Sequence, residues 1–594
     1  MAVPCSVIRL PGLALILLII GLVCAASAET VQLPAVETTA LEVEVVGVED
    51  PLRSNILSYL TIEQRKNDPF LTPGTIAELH EQAPDEIRRA LQPFGFYTPE
   101  ISADLIRRDR HWTARYAVKP GRPVIIGDVD VRVTGAGAED RLLMELREDF
   151  PVKVGDRLQH QHYEKAKQDL LETAINGGYL DAVVLAHEVK VYPDVHTATI
   201  TLHLDTGPLY RFGEVTFEQE AFRQEFLSRF VPFKKGDPYR LSDLFELQND
   251  LTGSDYFSSV DVVPRKDEAR DHEVPITVQL TPKKRQRYTF GIGYGTDTGF
   301  RGILGWENQR VNRRGHRFLS ELQLSEVKQS FVARYIVPMR RPATDSLNFS
   351  AGLSHENTLT SESEVLSFDT SYARKRGTWL QTFYLALRQE SFTIGDEEGS
   401  SRLLMPGTVL TRITADDRIY TTRGSRIILE FKGAHEALGS DTSFVQFRTG
   451  TKLIFGPWET GRVILRGDLG ASVINKLSEL PATQRFFAGG DQSVRGYAYN
   501  SLGPRRNDDV IGGKYLIVGS VEYEQSITRK WGIALFYDVG NAVNKLSDPL
   551  KQGTGLGVRW KSPIGLVRVD FAVALNRDPD ESRWRIHFLI GPDL

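Results

Sequence analysis

The stretch Gly489-Gly490-Asp491-Gln492-Ser493-Val494-Arg495-Gly496-Tyr497 governs the reading of this 594-residue chain. It is polar, rich in glycine, and carries one cation, Arg495, between a β-branched residue and a glycine. The segments on either side alternate apolar and polar residues over roughly the 9–11 positions that a tilted strand needs to cross a bilayer. A flexible loop with a single central cation, set among such strands, needs an explanation.

The strands extend well beyond the loop. From about Arg287 onward helical periodicity disappears and alternation of period two takes over. Runs bounded by Gly, Asn, Asp or Pro begin near Tyr288, Arg301, Arg317, Ser330, Leu347, Val365, Trp379 and Leu403. Further runs begin near Ser425, Phe444, Arg462, Tyr515, Trp531, Gly555, Leu566 and Trp584. That makes sixteen, and an even number suits a single-chain antiparallel membrane barrel.

In one run Trp531, Ile533, Leu535, Tyr537 and Val539 share a face, while Gly532, Ala534, Phe536, Asp538 and Gly540 share the other. In the last run Trp584, Ile586, Phe588 and Ile590 oppose Arg585 and His587. One face suits lipid and the other tolerates charge. A soluble sandwich would also alternate, but its apolar faces would need partner sheets. Glycines at alternate positions of the first run (Gly291, Gly293, Gly295) remove bulk from its inner face.

With the barrel's N-terminal end in the periplasm, the opening stretch joins strands eleven and twelve and becomes the sixth outward loop. Arginine offers a planar fork of donors that matches a carboxylate. Asp538 falls on the inward face by the same alternation, and so do Glu522 and Glu524.

The other end of the chain reads differently. Residues 1–28 have the form of a secretory signal: one positive charge before an apolar run, then Ala26-Ser27-Ala28 as a cleavage site. Cys24 raises a lipoprotein reading, but bulky Val23 stands where lipobox signals have a small residue. Both cysteines, Cys5 and Cys24, fall inside that signal. A mature chain starting at Glu29 would then have neither disulfides nor thiolate chemistry. The formal net charge of -5, with no massed Lys or Arg, gives no reason to expect nucleic acid.

Between signal and strands lies a threefold repeat. Pro120-Gly121-Arg122-Pro123-Val124-Ile125-Ile126-Gly127-Asp128-Val129 parallels Thr206-Gly207-Pro208-Leu209-Tyr210-Arg211-Phe212-Gly213-Glu214-Val215. A glycine- or aspartate-aromatic turn occurs three times, as Gly95-Phe96-Tyr97, Gly178-Tyr179-Leu180 and Asp255-Tyr256-Phe257. Each unit reads as a strand, two helical stretches and two strands. The second helices lie near Ile76–Gln92, Tyr163–Asn176 and Leu241–Leu251, and each ends at the turn. The first unit departs from the pattern through an insertion, Gln64-Arg65-Lys66-Asn67-Asp68-Pro69. His160 and His162 have no further ligand nearby and read as solvent-exposed residues rather than a metal site.

The β-α-α-β-β order resembles the polypeptide-transport-associated (POTRA) domain. The run Gly490 to Tyr497 is similar to the Val-Arg-Gly-Tyr/Phe motif of the outer-membrane assembly superfamily, whose members include BamA, TamA and the two-partner secretion transporters. Two more segments fit that family in the right order. They are Phe536-Tyr537-Asp538-Val539-Gly540-Asn541-Ala542, and Gly555 to Gly565 with its Trp-x-Ser-Pro-x-Gly element at Trp560, Ser562, Pro563 and Gly565.

The resemblance implies three POTRA domains (29–120, 121–207 and 208–286) and a 16-stranded antiparallel barrel (287–594) with an inward-folded loop (475–513). It implies a latch of Arg495, Gly496, Tyr497 and Asp538 inside the lumen, the arginine pairing with the carboxylate, with Glu522 and Glu524 as alternative carboxylates. Three such domains resemble the TamA branch most. That branch implies a TamB-like partner, anchored in the inner membrane and contacted through the first repeat. It also implies unfolded outer-membrane proteins, autotransporters among them, as substrates. The expected mechanism is a lateral gate between the first strand (Tyr288, Phe290, Ile292) and the last (Ile586, Phe588). The tail Gly591-Pro592-Asp593-Leu594 is poorly suited to continue the ladder. Export of one extended exoprotein, as by two-partner transporters, is the alternative. No HExxH, GxSxG or ligand-spaced histidine pair is present, and neither an enzyme nor a cofactor is expected.

Overall fold

The computed structural model describes residues 40–109, 111–417, 420–458, 460–562, 565–578 and 582–591. The signal with Cys5, Cys24 and Glu29, the motif residue Pro563 and the tail 592–594 lie outside the described residues. The chain divides into two units, Met1–Tyr210 and Arg211–Leu594.

The first unit holds two repeats. In the first, strand Ala40–Val46 pairs parallel with His111–Lys119, which pairs antiparallel with Glu100–Arg108. In the second, Ile125–Thr134, Thr197–Asp205 and Val183–Tyr192 repeat that order. Helices Pro73–Leu91 and His160–Asn176 bury one apolar face against these sheets. The expected β-α-α-β-β order holds, with an extra short helix, Thr61–Gln64, in the first repeat.

The turns that end these helices need a left-handed residue. Gly95 has φ 84° and Gly178 has φ 103°, and in the third repeat Asp255 takes φ 65°. Aspartate is among the few side-chain-bearing residues that enter this region readily, which accounts for the departure from glycine there.

The same turns also bond the chain that follows them within this unit, and the first forms the joint between its two repeats. Gly95 O accepts from Val124 N–H at 2.8 Å, and Gly178 O accepts from Tyr210 N–H at 2.9 Å. Tyr97, on the first turn, packs on the second repeat's core, and its hydroxyl lies 2.7 Å from Nε2 of His160. His160 is therefore half-buried and engaged at a joint, which corrects the exposed placement expected for it; His162 is exposed.

Burial holds the His160 ring below its ordinary value of about 6.5, with Glu164 opposing weakly. A lowered folded-state value means that the contribution is complete above the unfolded value and is lost as the pH falls through the folded one. Acidification from pH 7.5 to 5 should therefore loosen the joint. Hydrogen exchange at residues 95–97 and 124–126 should rise over that window, and His160→Gln should flatten the response.

The second unit contains the third repeat and the barrel. Strands Arg211–Glu218, Glu273–Pro282 and Phe257–Pro264 form its sheet, and an aromatic core of Phe212, Phe222, Phe226, Phe230, Phe233 and Tyr256 fills it. This repeat is bonded to the barrel. Tyr256 Oη donates to Gly315 O at 2.6 Å, and Arg229 donates to Pro338 O at 2.7 Å. A Cβ at Gly315 would run into the Phe226 ring. Two basic residues where the barrel begins are engaged as well: Lys283 pairs with Asp255 at 2.9 Å, and Arg287 pairs with Glu307.

Sixteen antiparallel strands close the barrel, from Gln286–Gly295 and Gly299–Asn308 to Gly565–Ala574 and Trp584–Gly591. Every one of the sixteen expected runs has its strand. The largest displacement is in the eighth, Glu397–Ala415, whose N-terminal residues reach out of the alternating stretch into the outward hairpin. No helix among the described residues is long and apolar enough to cross a membrane. The thirteenth strand, Trp531–Val543, shows why this sequence makes a membrane wall: Ile533 and Leu535 are more than half exposed on the outside, while Asp538 is wholly buried within.

Candidate functional site

Strands eleven (Gly461–Ile474) and twelve (Tyr515–Ser526) are joined by a long connection that folds back into the lumen. Its stem is tied to the far wall. Glu390 on the seventh strand, Trp379–Ile394, is buried and accepts from Thr483 N–H at 3.0 Å and from Ser363 Oγ at 3.2 Å. Arg485 pairs with Glu397 at 3.5 Å, and Ala488 exchanges two main-chain bonds with Leu502. From there the chain crosses the lumen to the opposite wall.

At that wall the Arg495 side chain is 3 % exposed. Its Nε donates to Asp538 Oδ2 at 2.7 Å and its Nη2 to Asp538 Oδ1 at 3.0 Å, the two-pronged geometry that a guanidinium favours. Its main-chain N–H also bonds Asp538, at 3.1 Å. Nη1 reaches Glu522 at 2.7 Å and Asp570 at 2.9 Å. The Cζ atom lies 3.4 Å from the Phe536 ring centroid, a cation–π contact.

The carboxylates extend the network. Glu522 and Asp570 also bind Arg559, at 2.6 and 2.5 Å. Arg559 binds Glu524 at 2.6 Å, and Glu524 binds Arg462 at 2.5 Å. Arg466 donates to Ser520 at 3.0 Å and approaches Asp538 at 3.5 Å. Arg462, Arg466, Arg495 and Arg559 thus interleave with Glu522, Glu524, Asp538 and Asp570, charge for charge.

Close approach makes this possible. Gly496 has φ 98°, and a Cβ there would press on Val573 and Ala574; a Cβ at Gly553 would collide with Arg495 O. Tyr497 Oη bonds Gln552 O and Asn576 Oδ1, both at 3.2 Å.

Arg495, Gly496, Tyr497 and Asp538 are therefore adjacent, and Glu522 shares the arginine. Glu524 lies one step further, reached through Arg559. Asp570, Arg559, Arg462 and Phe536 belong to the cluster without having been singled out as partners. Their signal was alternation: Asp570 and Arg568 share a face of the fifteenth strand, as do Arg559 and Gly557 on the fourteenth.

The third motif does something else. Trp560 faces outward and stacks on Trp531, with centroids 5.8 Å apart, and Ser562 Oγ donates to Gly565 O at 2.6 Å to close the turn.

The seam between first and last strands is sparse. One register pair, Gly295 with Leu589, joins them, whereas the first strand pairs with the second along its whole length. Thr296 and Phe588 add a main-chain bond at 3.2 Å and a side-chain bond at 3.0 Å. Tyr288, Phe290 and Ile292 point outward and are largely exposed. Among the described residues, Gln286–Tyr294 have no strand partner on the seam side. On the sixteenth strand Ile586 is exposed, and Phe588 lies 5.8 Å from the Tyr294 ring across the seam.

Three small α+β repeats before a sixteen-stranded barrel, with an outward loop bound to a buried charged wall, define a POTRA-bearing membrane barrel. The Omp85 superfamily domain model matches residues 286–593, and the chain belongs to the Omp85 superfamily. A model for POTRA domain TamA domain 1 matches residues 42–120, and one described as surface antigen variable number repeat matches 210–283.

The chain is 24 % identical over 585 residues to the outer membrane protein assembly factor BamA of Nitratidesulfovibrio vulgaris, covering 93 % of this chain and 72 % of that one. It is 22 % identical to BamA of Neisseria meningitidis serogroup B, covering 75 % of this chain and 64 % of that one. The crystal structure of BamA from Haemophilus ducreyi lacking POTRA domains 1-3 superposes with a TM-score of 0.65 at 17 % identity, over 78 % of this chain and 99 % of that one.

Removing Arg495 would leave Asp538, Glu522 and Asp570 facing one another. Arg495→Ala should cost about 3–5 kcal/mol of barrel stability, the penalty for orphaning a buried charge. Asp538→Ala should cost a similar amount. The double variant should cost less than the sum in thermal or denaturant unfolding of the purified barrel.

Proposed function

We propose that this chain is an outer-membrane assembly factor of the TamA type, with its barrel in the bacterial outer membrane and its POTRA domains in the periplasm. It helps to insert or translocate a subset of outer-membrane β-barrel proteins, such as autotransporters. The observation that carries the reading is the seam. An edge of main-chain donors and acceptors along Gln286–Tyr294 is a template on which an incoming strand can pair. One register pair between first and last strands makes parting inexpensive beside parting any other neighbours. The relatives named assembly factors and the TamA-type match at residues 42–120 support assembly as the use of that edge.

In this reading Arg495 is a latch. It holds the loop on the wall formed by strands twelve to fifteen and has no catalytic role. The first repeat contacts a periplasm-spanning partner of the TamB type, anchored in the inner membrane.

A disulfide placed between Gly295 and Leu589 positions should abolish substrate assembly when oxidised and restore it on reduction. Assembly that continues under oxidising conditions would sink the gate. Site-specific photocrosslinking from residues 64–70 of the first repeat should capture a large inner-membrane-anchored protein. Capture of one secreted exoprotein instead would favour a two-partner transporter.

A further inference from the structure

Asp297 lies in the turn between the first and second strands, with its side chain 6 % exposed. Its Oδ2 accepts the main-chain N–H of Asp491, on the inward loop, at 2.5 Å. Its Oδ1 faces Nδ1 of His587, on the last strand, at 3.9 Å. The other ring nitrogen, Nε2, accepts the main-chain N–H of Gly496 at 3.0 Å. A neutral imidazole that accepts at Nε2 carries its proton on Nδ1, so the N–H is turned toward the carboxylate.

The two hydrogen bonds form a bridge; the 3.9 Å approach of Nδ1 to Asp297 is too long for a hydrogen bond, and among the described residues Nδ1 has no hydrogen-bond partner. The bridge runs from the first hairpin at Asp297 to the loop at Asp491, and from the loop at Gly496 to the last strand at His587. The loop residues between 491 and 496 complete it, and among them Arg495 is clamped to Asp538. The approach is tight at one further point: Gly490 has φ 105°, and a Cβ there would strike the Asp297 carboxylate. Loop and hairpin are therefore fitted to each other through a glycine, beside a ladder of one register pair.

We propose that Asp297 and His587 are positioning residues that fasten the seam through the inward loop, so that the loop holds first and last strands together in addition to their own ladder. The fastening belongs to the barrel itself; its meaning for substrate passage rests on the gate reading above.

Hydrogen exchange of the full chain in nanodiscs tests this at residues 286–295 and 584–591. His587→Phe removes the acceptor for Gly496, and Asp297→Ala removes the acceptor for Asp491. Each should speed exchange at both strands by roughly tenfold, about the worth of one hydrogen-bonded link. The double variant should go no further than the faster single one, because the two bonds stand in series through the loop. Heat-modifiable gel mobility and unchanged exchange in the thirteenth strand confirm a folded barrel. If Asp297→Ala does not fold, Asp297→Leu, which fills the space and offers Asp491 no acceptor, takes its place.

Exchange within twofold of the parent in the single variants would overturn the proposal, and so would a double variant whose effect multiplies the two. Neither outcome depends on assembly. A sealed seam that still assembles substrate would remove the gate and leave the fastening, and unchanged exchange would do the reverse.

Discussion

A carboxylate shut away from water must find a cation. The lumen wall of this barrel presents four carboxylates close together, at Glu522, Glu524, Asp538 and Asp570. The wall itself supplies Arg462, Arg466 and Arg559. The remaining positive charge comes from Arg495 on the loop, which bonds three of the four acids. A loop that could lie outside in solvent is thereby held inside the barrel, because leaving would strand buried negative charge. The position of the loop is an electrostatic consequence of the wall. Its glycines, and Gly553 opposite, are the steric condition for reaching it.

Much of this was legible before any coordinates. Alternation separated Asp538 from its outward neighbours Tyr537 and Val539, and the resemblance of the Val-Arg-Gly-Tyr stretch to its family implied an inward carboxylate partner for Arg495. Alternation says which face a residue takes and nothing about its height along the wall. Glu522 and Glu524 share a face two residues apart, about 7 Å along a strand. Only the register, which sets Arg462 opposite Glu524 and Asp538 opposite Ser520, decides that Arg495 takes the first and Arg559 spans both. Asp570 was hidden for the same reason. Its approach to Arg495 depends on how strands twelve to fifteen curve together, which no single strand encodes.

The repeats show a different limit. Helix period and turn residues marked each unit well, because they are local. The placement of His160 was not local: it turns on a tyrosine sixty-three residues earlier, in a turn whose recurrence was plain but whose use as a joint was not. Asp255 in place of glycine looked like a weakening of the pattern. With φ 65° it is a permitted variant of the same turn, and the tyrosine after it bonds the barrel.

That docking has a mechanical consequence. The third repeat grips the turns after the second and fourth strands, through Tyr256 on Gly315 and Arg229 on Pro338. The loop grips strands twelve to sixteen, through Arg495, Gly496 and Tyr497. The two grips fall on opposite sides of the seam. Torque applied to the third repeat enters at the first-strand flank; the loop braces the last-strand flank and reaches across the seam to Asp297. The barrel is thus wired as a lever and an anvil, with its thinnest ladder between them.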